Sequence, residues 1–155
     1  MAGLEGLLDP SAVLPWVKVQ SKKQALSELA ETLATARGLD GRAVFEAVIE
    51  RERLGSTGVG EGVGIPHARI EGLDGPVGGF ARLETAVDFD AIDEQPCDLV
   101  FMLIAPKDAG ADHLRALARI SRVFRQASVR DALRAARTKE AIAEILSDGQ
   151  KTDAA

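Results

Sequence analysis

Leu99-Val100-Phe101-Met102-Leu103-Ile104-Ala105, closed by Pro106, is the longest uninterrupted apolar run in this chain of 155 residues. It falls far short of the roughly 20 residues that cross a bilayer. Its length suits a strand, and it is apolar at every position rather than at every second one. Leu99 to Ile104 therefore predicts a strand buried on both faces. Such a strand needs a layer on each side, and the rest of the chain supplies helical patterns to make them.

Before this run, Val77 to Leu83 suits a second strand, entered by the turn signal Gly75-Pro76. Further upstream, Leu14 to Val19 reads as a short strand and Val63 to Pro66 as another. Between them, Ala25, Leu26, Leu29, Ala30, Leu33 and Ala34 recur at helical spacing. Ser21 with Gln24 has the form of a capping box for that helix, and Gly38 is its stop. Asp40 caps a second helix, with Val44, Phe45, Val48 and Ile49 as its apolar face, running to about Arg53. After Pro106 the chain reads as helical: one helix from about Asp112 with Leu114, Leu117, Ala118, Val123 and Phe124 inward, one capped by Ser128, and one capped by Thr138. Strands alternating with helices give an α/β fold, a central mixed β-sheet flanked by helices on both faces in a single domain. The domain is read as residues 7–146, with 147–155 as a flexible C-terminal tail.

Composition narrows the function classes. The formal net charge is −5, which argues against general nucleic-acid binding. Cys97 is the only cysteine, so no intrachain disulfide or Cys-based zinc site is available, and it reads as a small apolar residue beside a strand. Met1 to Glu5 has neither a basic region nor the apolar segment of a secretory leader. The expectation is a cytoplasmic protein without membrane insertion.

The chemistry concentrates in Arg51 to Arg69, R-E-R-L-G-S-T-G-V-G-E-G-V-G-I-P-H-A-R. A helix end is followed by a glycine-dense loop that delivers His67 directly after Pro66. Glycines allow the backbone to approach an anion closely and to aim N–H groups at it. The spacing fits neither G-x-G-x-x-G nor a P-loop, and G-x-S-x-G and H-E-x-x-H are absent. A neutral imidazole is a competent phosphoryl acceptor, and its ordinary pKa of about 6.5 leaves it mostly neutral near pH 7. Arg51 can meet the same group with its fork of donors. His113, the second of two histidines, stands at a helix start, where an anion is favoured. Each feature alone has a plain explanation: a lone loop histidine is usually polar surface, and arginines at a helix end complement its dipole. Their order within one short stretch is what points to phosphoryl chemistry.

Glu52, Val59, Gly60 and the run Val63-Gly64-Ile65-Pro66-His67-Ala68 resemble the EIIA domain of the fructose–mannitol class of the phosphoenolpyruvate-dependent phosphotransferase system. Asp88 to Pro106 and His113 to Arg119 extend the resemblance to almost the whole chain. Gly64 stands where that family usually has alanine; the missing methyl is expected to loosen the short strand slightly. The resemblance implies that His67 is the phosphorylated residue, carrying the group on Nε2 (tele-phosphohistidine), with Arg51 and His113 as its partners in the site. It implies an HPr-like phosphocarrier (NPr-type) as donor, and regulatory target proteins or an EIIB as acceptor. No metal or organic cofactor is called for. The wording around S-T-G-V-G and F-D-A-I-D-E-Q-P is closer to the nitrogen-regulatory branch; the sugar-transport branch is the alternative. Asp112 to Arg137 holds seven arginines against two aspartates, with Arg115, Arg119 and Arg122 on one helix face. That face reads either as a solvated surface or as a docking surface for an acidic partner.

Overall fold

The computed structural model describes residues 3–148. In chain order the elements are β1 (Leu8–Val17), α1 (Lys22–Arg37), α2 (Gly41–Leu54), β2 (Gly58–Gly60), β3 (Val63–Gly64), β4 (His67–Ile70), β5 (Val77–Val87), β6 (Cys97–Pro106), α3 (Ala111–Arg125), α4 (Ala127–Ala135) and α5 (Lys139–Asp148). The sheet order is β1-β5-β6-β3-β2, and β4 also pairs with β6. β5 runs antiparallel to β6, whereas β3 and β4 run parallel to it and β1 runs parallel to β5. The sheet is therefore mixed, as expected, with β6 at its centre.

β6 shows why that run carries no polar position. Val100, Met102 and Ile104 join the core under α1 and α2, while Leu99, Phe101 and Leu103 join the core under α3, α4 and α5. All six are fully buried. Period-2 alternation is present, but both faces are apolar because both are covered.

Local signals hold at the helix ends. Ser21 Oγ accepts from the Gln24 N–H at 3.1 Å, and Gln24 Oε1 accepts from the Gln20 N–H at 2.8 Å. Gly38 closes α1 in the left-handed conformation, φ +68°. Asp40 caps α2 through the Arg42 N–H, and Thr138 Oγ1 accepts from the Ala141 N–H at the start of α5. No helix among the described residues is long and apolar enough to cross a membrane.

Four expectations are corrected. β1 starts at Leu8, six residues before the expected strand, and ends at Val17. Pro10 and Pro15 break the strand pattern, and they are tolerated because β1 lies at the sheet edge with an irregular register against β5. The inner face of α3 is His113, Ala116, Ile120, Val123 and Phe124, so Leu114 is 64% exposed and Ala118 is exposed too. Ser128 is not a cap: α4 begins at Ala127, with Gln126 joining it to α3. α5 continues through Ser147 and Asp148, two residues into the expected tail; residues 149–155 lie outside the described residues.

Candidate functional site

Strand alternation aims His67. Val63 and Ile65 sit in the α3–α5 core, and Ala68 and Ile70 in the α1–α2 core. His67 opens β4 opposite Leu103 and lies on the α3 side. Pro66 fixes its own φ, and its carbonyl accepts from the Leu103 N–H at 2.9 Å, so the chain is anchored immediately before the histidine. The inner face of α3 presents His113 to it, with ring centroids 5.6 Å apart at 56°.

The tautomer of His67 follows from its hydrogen bond. Nδ1 lies 2.7 Å from the Ile65 carbonyl oxygen. That oxygen can only accept, so Nδ1 carries the proton and Nε2 keeps its lone pair. Burial lowers the pKa of His67 below its ordinary value, and the positive charge of Arg51 pushes the same way. The Ile65 hydrogen bond and the charge of Glu52 oppose them without reversing the direction. The ring is thus neutral at pH 7, with one nucleophilic nitrogen.

His113 is 6% exposed, and its Nδ1 is buried without a hydrogen-bond partner. Its pKa is lowered too, first by burial, then by His67 and Arg69. Arg51 lies in the last turn of α2 beside the loop and donates from Nη1 to the Gly55 carbonyl at 3.0 Å. The structure therefore brings His67 and His113 together and places the charge of Arg51 within reach of the ring. It also adds Arg69, which sequence reasoning missed. The signal was there: two residues beyond His67 on the same strand, Arg69 shares its face.

The glycine loop differs from the expected anion cradle. Gly60 (φ +99°) and Gly62 (φ +79°) turn the β2–β3 hairpin. The N–H groups of Gly55, Thr57, Gly58, Glu61 and Ile65 are spent on Glu52 O, Glu52 Oε1, Ser56 Oγ, Asp93 Oδ2 and Thr57 O respectively. The loop is a braced wall of the site rather than an open nest.

Glu52 organises that wall. It is 9% exposed, its carboxylate pairs with Lys22 at 2.6 Å, and it accepts from both the N–H and the hydroxyl of Thr57. Cys97 is remote in character: it is buried in β6, and burial pushes its thiol up to about 12, so it is unreactive at neutral pH. Among the described residues no group of three or more His, Cys, Asp and Glu side chains could hold a metal ion. On the arginine face of α3, Arg119 binds the backbone carbonyls of Gly3 and Glu5, and Arg115 pairs with Asp112. Arg119 thus ties the start of the chain to α3.

Residues 6–149 match the family described as phosphoenolpyruvate-dependent sugar phosphotransferase system, EIIA 2. A nitrogen regulatory protein of Bradyrhizobium diazoefficiens is 52% identical over 141 residues, covering 91% of this chain and 92% of that protein. One of Pseudomonas aeruginosa is 41% identical, covering 97% of this chain and 98% of its own. The crystal structure of nitrogen regulatory protein IIA-Ntr from Neisseria meningitidis superposes with a TM-score of 0.84 at 37% identity, covering 91% of this chain and 97% of that one.

Proposed function

Because the chain belongs to the EIIA 2 family of the phosphoenolpyruvate-dependent sugar phosphotransferase system, we propose that it is a phosphocarrier and regulator of the nitrogen-related branch. In this reading His67 accepts the phosphoryl group. The observation that carries it is the Nδ1–H···O=C bond to Ile65, which leaves Nε2 free to attack. The names of the relatives support the nitrogen branch over sugar transport.

An HPr-like carrier docks with its phosphohistidine in line with Nε2 of His67. The lone pair of Nε2 forms the new N–P bond, and the electron pair of the breaking N–P bond returns to the imidazole of the donor. Arg51 and His113 meet the charge on the phosphoryl oxygens. The braced loop shapes the site but spends many of its N–H groups internally, so the side chains bear most of that charge. Phosphorylation then adds negative charge to a site whose ring was neutral, and that change selects the partner. The protein acts in the cytoplasm, as a component of the relay, without turnover of a small substrate.

The test is incubation with phosphoenolpyruvate, enzyme I and the HPr-type carrier. Wild type takes up an acid-labile phosphoryl group and His67→Ala does not; labelling that persists in His67→Ala overturns the assignment. Arg51→Ala and His113→Ala each slow the transfer by about 100-fold or more. Efficient onward transfer to a sugar-specific EIIB would favour the sugar-transport branch instead.

A further inference from the structure

A continuous path of contacts runs from the first residue of α1 to the ring of His67. Lys22 Nζ pairs with Glu52 Oε1 at 2.6 Å and donates to the Phe89 carbonyl at 3.3 Å. Glu52 takes the Thr57 N–H at 3.3 Å on one carboxylate oxygen and the Thr57 hydroxyl on the other. The Thr57 carbonyl accepts from the Ile65 N–H at 3.0 Å, and the Ile65 carbonyl accepts from His67 Nδ1–H at 2.7 Å. Ser56 reinforces the path, donating to the Phe89 carbonyl and accepting from the Gly58 N–H.

An ion pair with its carboxylate buried and its ammonium largely so is a costly way to hold a loop, because a well-packed apolar contact does as well or better. An apolar contact, however, cannot fix the direction of a peptide group. Glu52 grips Thr57 by both its N–H and its hydroxyl, which holds the residue in place and so positions the carbonyl it offers to Ile65. That carbonyl in turn anchors the N–H of Ile65, and the oxygen of the following Ile65–Pro66 peptide holds the imidazole proton. A neutral imidazole otherwise shares its proton between two nitrogens.

We propose that Lys22, Glu52 and Thr57 are positioning residues that lock His67 in the Nδ1–H tautomer and so keep Nε2 deprotonated for attack. The nucleophile is then poised by the α1–α2 side of the protein, although its ring lies on the α3 side. The proposal rests on the reading of His67 as phosphoryl acceptor, but the tautomer itself is measurable without any phosphotransfer.

The experiment is imidazole 15N NMR of the full chain at pH 7.5, together with the kinetics of phosphoryl uptake from the carrier. In wild type Nδ1 of His67 carries the proton and Nε2 has the shift of a bare nitrogen. Thr57→Val mixes the two tautomers and lowers kcat by about tenfold, with KM for the carrier within about twofold. Thr57→Ser, which keeps the hydroxyl, restores both. If Thr57→Val does not fold, the double variant Lys22→Met/Glu52→Gln, which removes the pair together, reads the same tautomer shift. A wild-type proton on Nε2 overturns the proposal without any variant, as does a folded Thr57→Val with unchanged tautomer and kcat. If the nitrogen shifts behave as expected but wild type takes up no phosphoryl group, the relay stands and the phosphocarrier reading falls.

Discussion

Gly64 shows what one missing methyl does. From the sequence, its loss is expected to loosen a short strand slightly. In the fold Gly64 faces the α1–α2 core, and a Cβ there would lie 2.8 Å from Cε2 of Phe89. The Phe89 ring is fully buried, so it occupies the space that a methyl would take. Gly64 and Phe89 are therefore a matched pair, and the strand is not loosened. Gly64→Ala is expected to destabilise by about 1–3 kcal/mol through overpacking. Chemical denaturation measures it, and Phe89→Leu in the same chain should recover part of the loss. Stability equal to wild type in Gly64→Ala would show that the ring can move aside. Glu52 makes the complementary point. Its place in the motif was visible in the sequence, but its task was not, because its partners Lys22 and Thr57 lie thirty residues before it and five after it.

Helix ends were legible at the scale of the element, and helix faces less so. A cap is a contact between residues two to four apart, so Ser21, Gly38, Asp40 and Thr138 could be read directly. Ser21→Ala removes the acceptor for the Gln24 N–H and should cost about 1 kcal/mol, visible as a lower denaturation midpoint with an unchanged slope. No change in midpoint would mean that the Gln24 side chain alone secures the end. The face of α3 was harder. Counting apolar residues put Leu114 and Ala118 inside, whereas the helix turns His113 and Ala116 inward. Periodicity scores a histidine as polar, so a buried histidine shifts the apparent face by one residue. At that position α3 carries an imidazole beside His67 where an apolar core residue would otherwise sit.

Across the whole molecule, the site lies where two separately packed halves meet. α1 and α2 cover one face of the sheet, α3 to α5 the other, and the two histidines lie on the second while Arg51 and Glu52 come from the first. Burying both rings links stability to pH. His67 and His113 have pKa values lowered below 6.5 in the fold, mainly by burial, so as pH falls through 6.5 the unfolded chain binds protons first. Their contribution to stability is complete above about pH 6.5 and is lost below it, as pH approaches the folded values. Tm should fall between pH 7.5 and 5.5, and the fall should shrink in His67→Gln/His113→Gln; an identical fall in both proteins would place the titration elsewhere. By itself the sequence determined the fold class, through a short apolar run that suits a doubly covered strand and the alternation of helical and strand patterns around it. It also determined the candidate residues His67, Arg51 and His113, since the residue types and their order are properties of the chain. Only the tertiary structure decided which nitrogen of His67 is bare, that the glycine loop turns and braces rather than cradles, and that Lys22 reaches the site through Glu52 and Thr57. Those outcomes depend on where each carbonyl, N–H and side chain finds its partner in three dimensions, and even a partner two residues away, as Ile65 is to His67, is chosen by backbone conformation that residue types alone do not specify.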